Sequence, residues 1–274
     1  MQTGLDALAK LTTGKVYLSV STKTTLKGLR EAKNVVITEF NGPHPAGNVG
    51  VQINHIKPVN RGETVWTLNA PDVAIIGRLF NKGITDLTRT VALTGSEVKE
   101  TGYYNMVIGT ELKHIFAQNV TEGVSLRYIS GNPLTGRKID ENGELRAYDS
   151  QVTVIPEGDD IHEAFGWASF SPKRYSAGAT YLSFHKKFRL DARLMGGPRA
   201  IIVSNEYDKV FPMDIYPEQL IKAIIAFNID RMEQLGIYEV APEDFALCEF
   251  VDTSKLELQR IVRVGLDLLR KEME

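Results

Sequence analysis

The chain has 274 residues, 43% hydrophobic, 24% charged and 8% aromatic, which excludes a largely disordered protein and is long enough for more than one domain. Lys and Arg total 32 against 34 Asp and Glu, so no general electrostatic attraction to nucleic acid or anionic lipid is expected. The single cysteine, Cys248, rules out an intrachain disulfide and leaves a thiolate-ligated zinc or iron–sulfur site without ligands.

In chain order, three textures follow one another. Over residues 1–88, strand-like runs at 15–20, 35–39 and 64–68 alternate with helical stretches at 6–11, 26–31 and 72–80, the rhythm of an α/β layer. The opening helix has no strand before it and no glycine fingerprint, so this layer is expected to be incomplete. Over residues 89–160 the elements shorten into β-β-α-β order, with strands at 90–94, 103–107, 125–129 and 152–155 and a helix at 111–119. Gly131-Asn132-Pro133 and Asn142-Gly143 supply turn chemistry. A small α+β sheet on one helix fits. Residues 161–274 end in a helical bundle. One helix starts at Pro217-Glu218 and stops at Gly236, a second start stands at Pro242-Glu243-Asp244, and a last helix runs from about Ser254. No apolar run approaches the roughly 20 residues that cross a bilayer, and no leader pattern opens the sequence. The chain is therefore expected neither to span a membrane nor to be secreted.

The motifs that could carry chemistry are few. Gly131 through Gly136 to Lys138 approaches a phosphate loop, but the lysine is one place late and no Ser or Thr follows, so a hairpin turn is expected instead. The segment from Asn41 to Gly50 is a Gly/Pro loop after a strand, where α/β sheets build ligand crevices. Gly42, His44, Gly47 and Asn48 are its candidate ligand residues, against the plainer reading of a structural loop. Asp159, Asp160, His162 and Glu163 offer donors for a cation without matching an established spacing, and an acidic linker explains them as well. Residues 165–189 interleave seven aromatic with five basic side chains. Base stacking, domain packing and partner docking all suit such a segment; the overall charge disfavours nucleic acid, and docking to a partner or a membrane surface is expected. On the spacing of a cluster-binding helix, Pro242, Phe245, Cys248 and Asp252 stand at the four ligand positions, and Ile201, Ser204, Tyr207 and Phe211 fit the same frame with no thiol. Alone, the frame makes Cys248 a small buried hydrophobe.

Longer words carry a family resemblance: Gly42-Pro-His-Pro-Ala-Gly47, Glu63-Thr-Val-Trp66-Thr-Leu-Asn-Ala-Pro-Asp72-Val-Ala-Ile-Ile-Gly77, Arg127-Tyr-Ile-Ser-Gly131-Asn-Pro-Leu-Thr-Gly136 and Ala241-Pro-Glu-Asp244-Phe-Ala-Leu-Cys248-Glu-Phe-Val. In this order, from about Val16 to the end, they resemble the later part of the A subunit of the bacterial sodium-translocating NADH:quinone oxidoreductases (Na+-NQR). The resemblance implies an α/β plus α+β plus all-α chain: a partial Rossmann-like layer at 1–88, a β-grasp domain of the soluble-ligand-binding (SLBB) type at 89–160, and a docking segment with a helical domain at 161–274. It also implies similarity to the C subunit of Rnf complexes and the flavin-binding subunit of complex I, whose helical domains hold iron–sulfur clusters. Against those relatives Pro242, Phe245, Cys248 and Asp252 are vestigial cluster positions, and Asp252 stands where family members often keep a second cysteine.

By the same resemblance the chain is a peripheral subunit on the cytoplasmic face of the bacterial inner membrane, carrying no catalytic residue, metal or cofactor of its own. NAD, flavins and iron belong to partner subunits, among them membrane subunits. The A subunit of this family has been associated with quinone, and no residue here is assigned as a quinone ligand. The competing expectation is a stand-alone module that binds a small ligand through its β-grasp segment or the 42–48 loop.

Overall fold

The computed structural model describes residues 1–159, 175, 187–194 and 196–273, arranged as two compact units. One comprises Met1–Leu87, Asn205–Cys248 and Glu257–Glu274; the other comprises Thr88–Ser204 and Glu249–Leu256.

The first unit opens with α1 (Gln2–Ala9), β1 (Tyr17–Ser21), α2 (Lys27–Arg30), β2 (Val36–Phe40), α3 (Val49–Ile56) and α4 (Ala70–Lys82). β1 and β2 pair in parallel from Tyr17 opposite Val36 to Ser21 opposite Phe40, which makes a two-stranded sheet. α4 shows why this sequence is helical: Pro71 stands in the first turn with Asp72, where a missing N–H costs nothing and a carboxylate meets the helix dipole. Gly83, in left-handed backbone at φ 68°, closes the other end by donating its N–H to the Leu79 carbonyl. α4 lies on α1 at very short range. A Cβ placed on Gly4 would stand 2.2 Å from the Val73 carbonyl oxygen, so the crossing needs glycine there. The run at 64–68 is not a strand: it pairs with nothing in either sheet, and Trp66 is 88% exposed. β-propensity without a neighbouring edge does not make a strand.

In the second unit, β3 (Thr88–Thr94), β4 (Gly102–Val107), α5 (Lys113–Phe116), β5 (Leu126–Ser130), β6 (Arg137–Ile139) and β7 (Gln151–Pro156) build a five-stranded sheet in the order β4-β3-β7-β5-β6. β3 and β7 are parallel and the other pairs antiparallel. Alternate residues of β3 (Val91, Leu93) and of β7 (Val152, Val154) join Met106, Leu112, Ile115, Phe116 and Leu145 in one core. The helix expected over 111–119 is only one turn long. Leu112, Ile115 and Phe116 already reach the core, and the chain leaves the helix at Ala117 and turns left-handed at Gln118, φ 61°.

The first unit resumes with α6 (Pro217–Ile225), α7 (Ile229–Gln234), 3-10 turns at Ile237–Glu239 and Pro242–Phe245, α8 (Ala246–Val251), which crosses from one unit to the other, and α9 (Leu258–Met273). Leu220, Ile221, Ala223 and Ile224 bury one face of α6. The helix expected to run unbroken to Gly236 is interrupted at Phe227, φ 52°, and α7 restarts under the Asn228 side chain, which accepts the Arg231 N–H at 3.0 Å. The last helix begins at Leu258 rather than near Ser254, and Gly265 lets it pack on Ile224.

Candidate functional site

The 42–48 loop leaves β2 and enters α3. His44 and Gly47 are exposed, Pro45 is buried, and the His44–Pro45 peptide is cis. Backbone N–H groups of Ala46 and Asn48 donate to Pro43 and Pro45, and Gln52 holds the Ala46 carbonyl at 3.2 Å. Asn48 caps α3 through its backbone, its carbonyl accepting from Gln52, with no side-chain bond. The loop is thus tied to itself by hydrogen bonds to its own backbone.

What the loop does position is α3, which lies against the Pro242–Phe245 turn. Gly50 faces Asp244 so closely that a Cβ on it would stand 2.7 Å from both carboxylate oxygens. Nearby, Asn54 donates to Glu239 at 2.8 Å. Asp244 is 2% exposed; one oxygen accepts the Ala241 N–H at 2.8 Å, and the other, Oδ1, is buried with no hydrogen-bond partner. Burial pushes this carboxyl up to about 6, with the Ala241 N–H pulling against it and Glu243 adding to it. Neither Asp244 nor Gly50 stands out in the sequence. The legible signal is the Pro-Glu-Asp turn start, which speaks to capping and not to burial.

Of the eight positions on the cluster frame, four meet in the first unit. Phe211 and Phe245 stack with ring centroids 4.8 Å apart, and Cys248 lies with its Sγ 4.0 Å from the Tyr207 carbonyl. Tyr207, Phe245 and Cys248 are at most 2% exposed. Tilted aromatic rings and one thiol fill this volume, and neither Pro242 nor Phe245 has a side-chain donor for a metal. Asp252, in the second unit, is likewise buried and accepts the N–H groups of Ser254 and Leu256 at 3.0 and 2.7 Å. It serves as a backbone cap. Among the described residues no group of three or more His, Cys, Asp or Glu side chains could hold a metal ion.

The second unit carries the other sequence candidates. Residues 131–136 form the turn between β5 and β6, and Lys138 on β6 bonds Glu157 at 3.0 Å rather than waiting for a phosphate. Arg127 grips the same carboxylate, Nε to Oε2 at 2.9 Å, and the two cations hold Glu157 down at about 2. Most of the 165–189 segment, with Asp160, His162 and Glu163, lies outside the described residues. In its described parts, Tyr175 contacts Phe188 and Phe250, and Arg189 makes a two-bond clamp on the buried Glu97 at 2.6 and 2.8 Å. The guanidinium is the main reason Glu97 stays below the usual carboxylate range. An open cavity of about 370 Å³ is lined by Lys99, Tyr104, His114 and Asn119, among others.

The comparisons with known proteins fall on this arrangement in order. The family model described as NqrA second alpha/beta domain matches residues 1–85, and the one described as NQRA C-terminal domain matches residues 90–141. Similarity extends beyond both, to the last helix: the chain is 37% identical over 274 residues to the A subunit of the Na(+)-translocating NADH-quinone reductase of Pasteurella multocida, covering 99% of this chain and 61% of that protein. Over nearly its whole length the chain is similar to NqrA. The corresponding A subunits of Neisseria meningitidis serogroup B and Rhodopirellula baltica are 36% and 35% identical over 98% of the chain, which covers 60% and 59% of them. The chain therefore spans about three-fifths of the length of the curated relatives it matches. None of its described helices is long and apolar enough to cross a membrane.

Proposed function

We propose that the chain acts as a cofactor-free scaffold within a sodium-pumping NADH:quinone oxidoreductase, docked peripherally at the cytoplasmic face of the membrane on subunits that carry the flavins, iron and NAD site. Similarity to the A subunits along nearly the whole chain supports the assembly. The observation that carries the scaffold role is the aromatic core of Tyr207, Phe211 and Phe245 around Cys248, at positions that cluster-bearing helical domains give to thiolates. On this reading the residues 1–87 layer is a partial Rossmann-like fold and the five-stranded sheet an SLBB-type β-grasp domain, both kept for docking rather than for chemistry. Visible absorbance and iron analysis of the purified chain test it: the expected result is a colourless, iron-free protein, and a flavin or thiolate–iron band at near-stoichiometric occupancy contradicts it.

The cavity beside Lys99 and His114 favours a second reading, a small-ligand module on the sheet domain, with quinone among the ligands to try. Saturable binding of quinone analogues that raises the melting temperature supports it, and an unmoved melting temperature at saturating analogue counts against it.

A further inference from the structure

Asp244 is a buried carboxylate whose surroundings leave it short of partners. Its Oδ1 has no donor, and α3 approaches it over the bare Cα of Gly50. The charged groups on the packed elements are engaged elsewhere or do not act on it. His55, the one titratable side chain of α3, bonds the Val51 carbonyl; Glu239 accepts from Asn54; Arg260 of α9 pairs with Glu257. None of the charged side chains of α9, Arg263, Asp267, Arg270, Lys271 and Glu272, is among the causes of the carboxyl's shift, and Glu243 beside it is a like charge. An ionised Asp244 in this contact is a buried charge with one hydrogen bond and no cation.

We propose that Asp244 is a proton-linked latch: its protonated form seats α3, and with it the 42–48 loop, against the Pro242–Phe245 turn, and its ionisation loosens that seat. The physical sequence is short. When the turn and α3 part, water reaches the carboxylate and it titrates near the ordinary Asp value of 3.8; in the closed contact it titrates near 6. The closed form binds the proton more tightly, so opening becomes easier as pH rises through that interval and levels off above it. With those two values, opening of α3 grows about tenfold between roughly pH 5 and 7.5. The fold thereby couples a proton to the seating of α3 and of the loop that the sequence marks as its ligand candidate, and this inference does not depend on the scaffold reading.

The test uses the full chain. Carbon-13 labelling of aspartate reads the Asp244 carboxyl titration directly, and hydrogen exchange of the α3 amides, corrected for intrinsic base catalysis, reads opening. The expected results are a titration midpoint near 6, an approximately tenfold loss of α3 protection across that pH range, and a flat protection profile in Asp244→Asn. A midpoint near 4 overturns the proposal. So does an α3 protection profile that is flat in the native chain, or one that keeps its slope in Asp244→Asn. If the variant does not fold, the titration of the native chain still decides.

Discussion

Replacing Phe245 by alanine removes a fully buried ring from the centre of the first unit. The ring is 0% exposed and tilted against Phe211 with centroids 4.8 Å apart, and Tyr207 and Cys248 of the same unit are buried as well. Deleting a phenyl group from such a site costs transfer free energy and leaves a cavity the stiff surroundings refill only in part, about 4 kcal/mol in all. Part of that belongs to the ring pair. Phe211→Ala, only slightly more exposed, and the double variant close a cycle in which the coupling should be about 1 kcal/mol. Urea unfolding followed by far-ultraviolet circular dichroism measures it, with the midpoint lowered and the slope unchanged. A loss under about 1 kcal/mol for Phe245→Ala refutes the reasoning. It would mean that Phe245 lines a tolerant, solvent-accessible void, which is what a ligand site and not a structural core would show.

Gly4→Ala is expected to lower stability by roughly 1–2 kcal/mol. The clash of the new Cβ with the Val73 carbonyl outweighs the gain of up to about 1 kcal/mol in helix propensity, and a raised melting temperature would refute the close α1–α4 crossing. Cys248, fully buried, is expected to resist iodoacetamide in the native chain and to react fully in denaturant, as mass spectrometry can record. Glu157, held at about 2 by Arg127 and Lys138, contributes stability that is present above the ordinary carboxylate range near 4.5 and is lost as pH falls toward 2. The acid limb of stability should therefore flatten in Glu157→Gln, and an unchanged limb would count against the pairing.

Much of the fold is legible in the sequence because local chemistry and tertiary context agree. The apolar runs at 15–20 and 35–39 find each other as β1 and β2, and the alternation in β3 and β7 makes the core of the sheet. The Pro217 signal marks a helix start that the structure keeps. Pattern fails where context overrides it. Residues 64–68 have strand composition and no edge to pair with, while α3 gives no signal because Val49–Ile56 has no side-chain cap and mixes glycine, asparagine and histidine into a short helix. The helix from Pro217 breaks at Phe227, where backbone N–H groups of Phe227 and Asn228 turn back to Ile224 and Ala223. The candidate site is legible in one respect: Phe211 and Phe245, named from spacing alone, do meet. The 42–48 stretch reads correctly as a loop, but the residue it brings α3 against, Asp244, lies far along the chain, and no local rule reports that its carboxyl is buried on Gly50.

A docked, cofactor-free part of a larger oxidoreductase should travel with its partners. The most direct measurement tags the native gene product, solubilises the membranes in mild detergent and assays the affinity eluate for sodium-stimulated NADH:quinone reduction. The expected result is that this activity co-elutes with flavin-bearing membrane subunits. Elution of the tagged protein alone and inactive from the soluble fraction would contradict it.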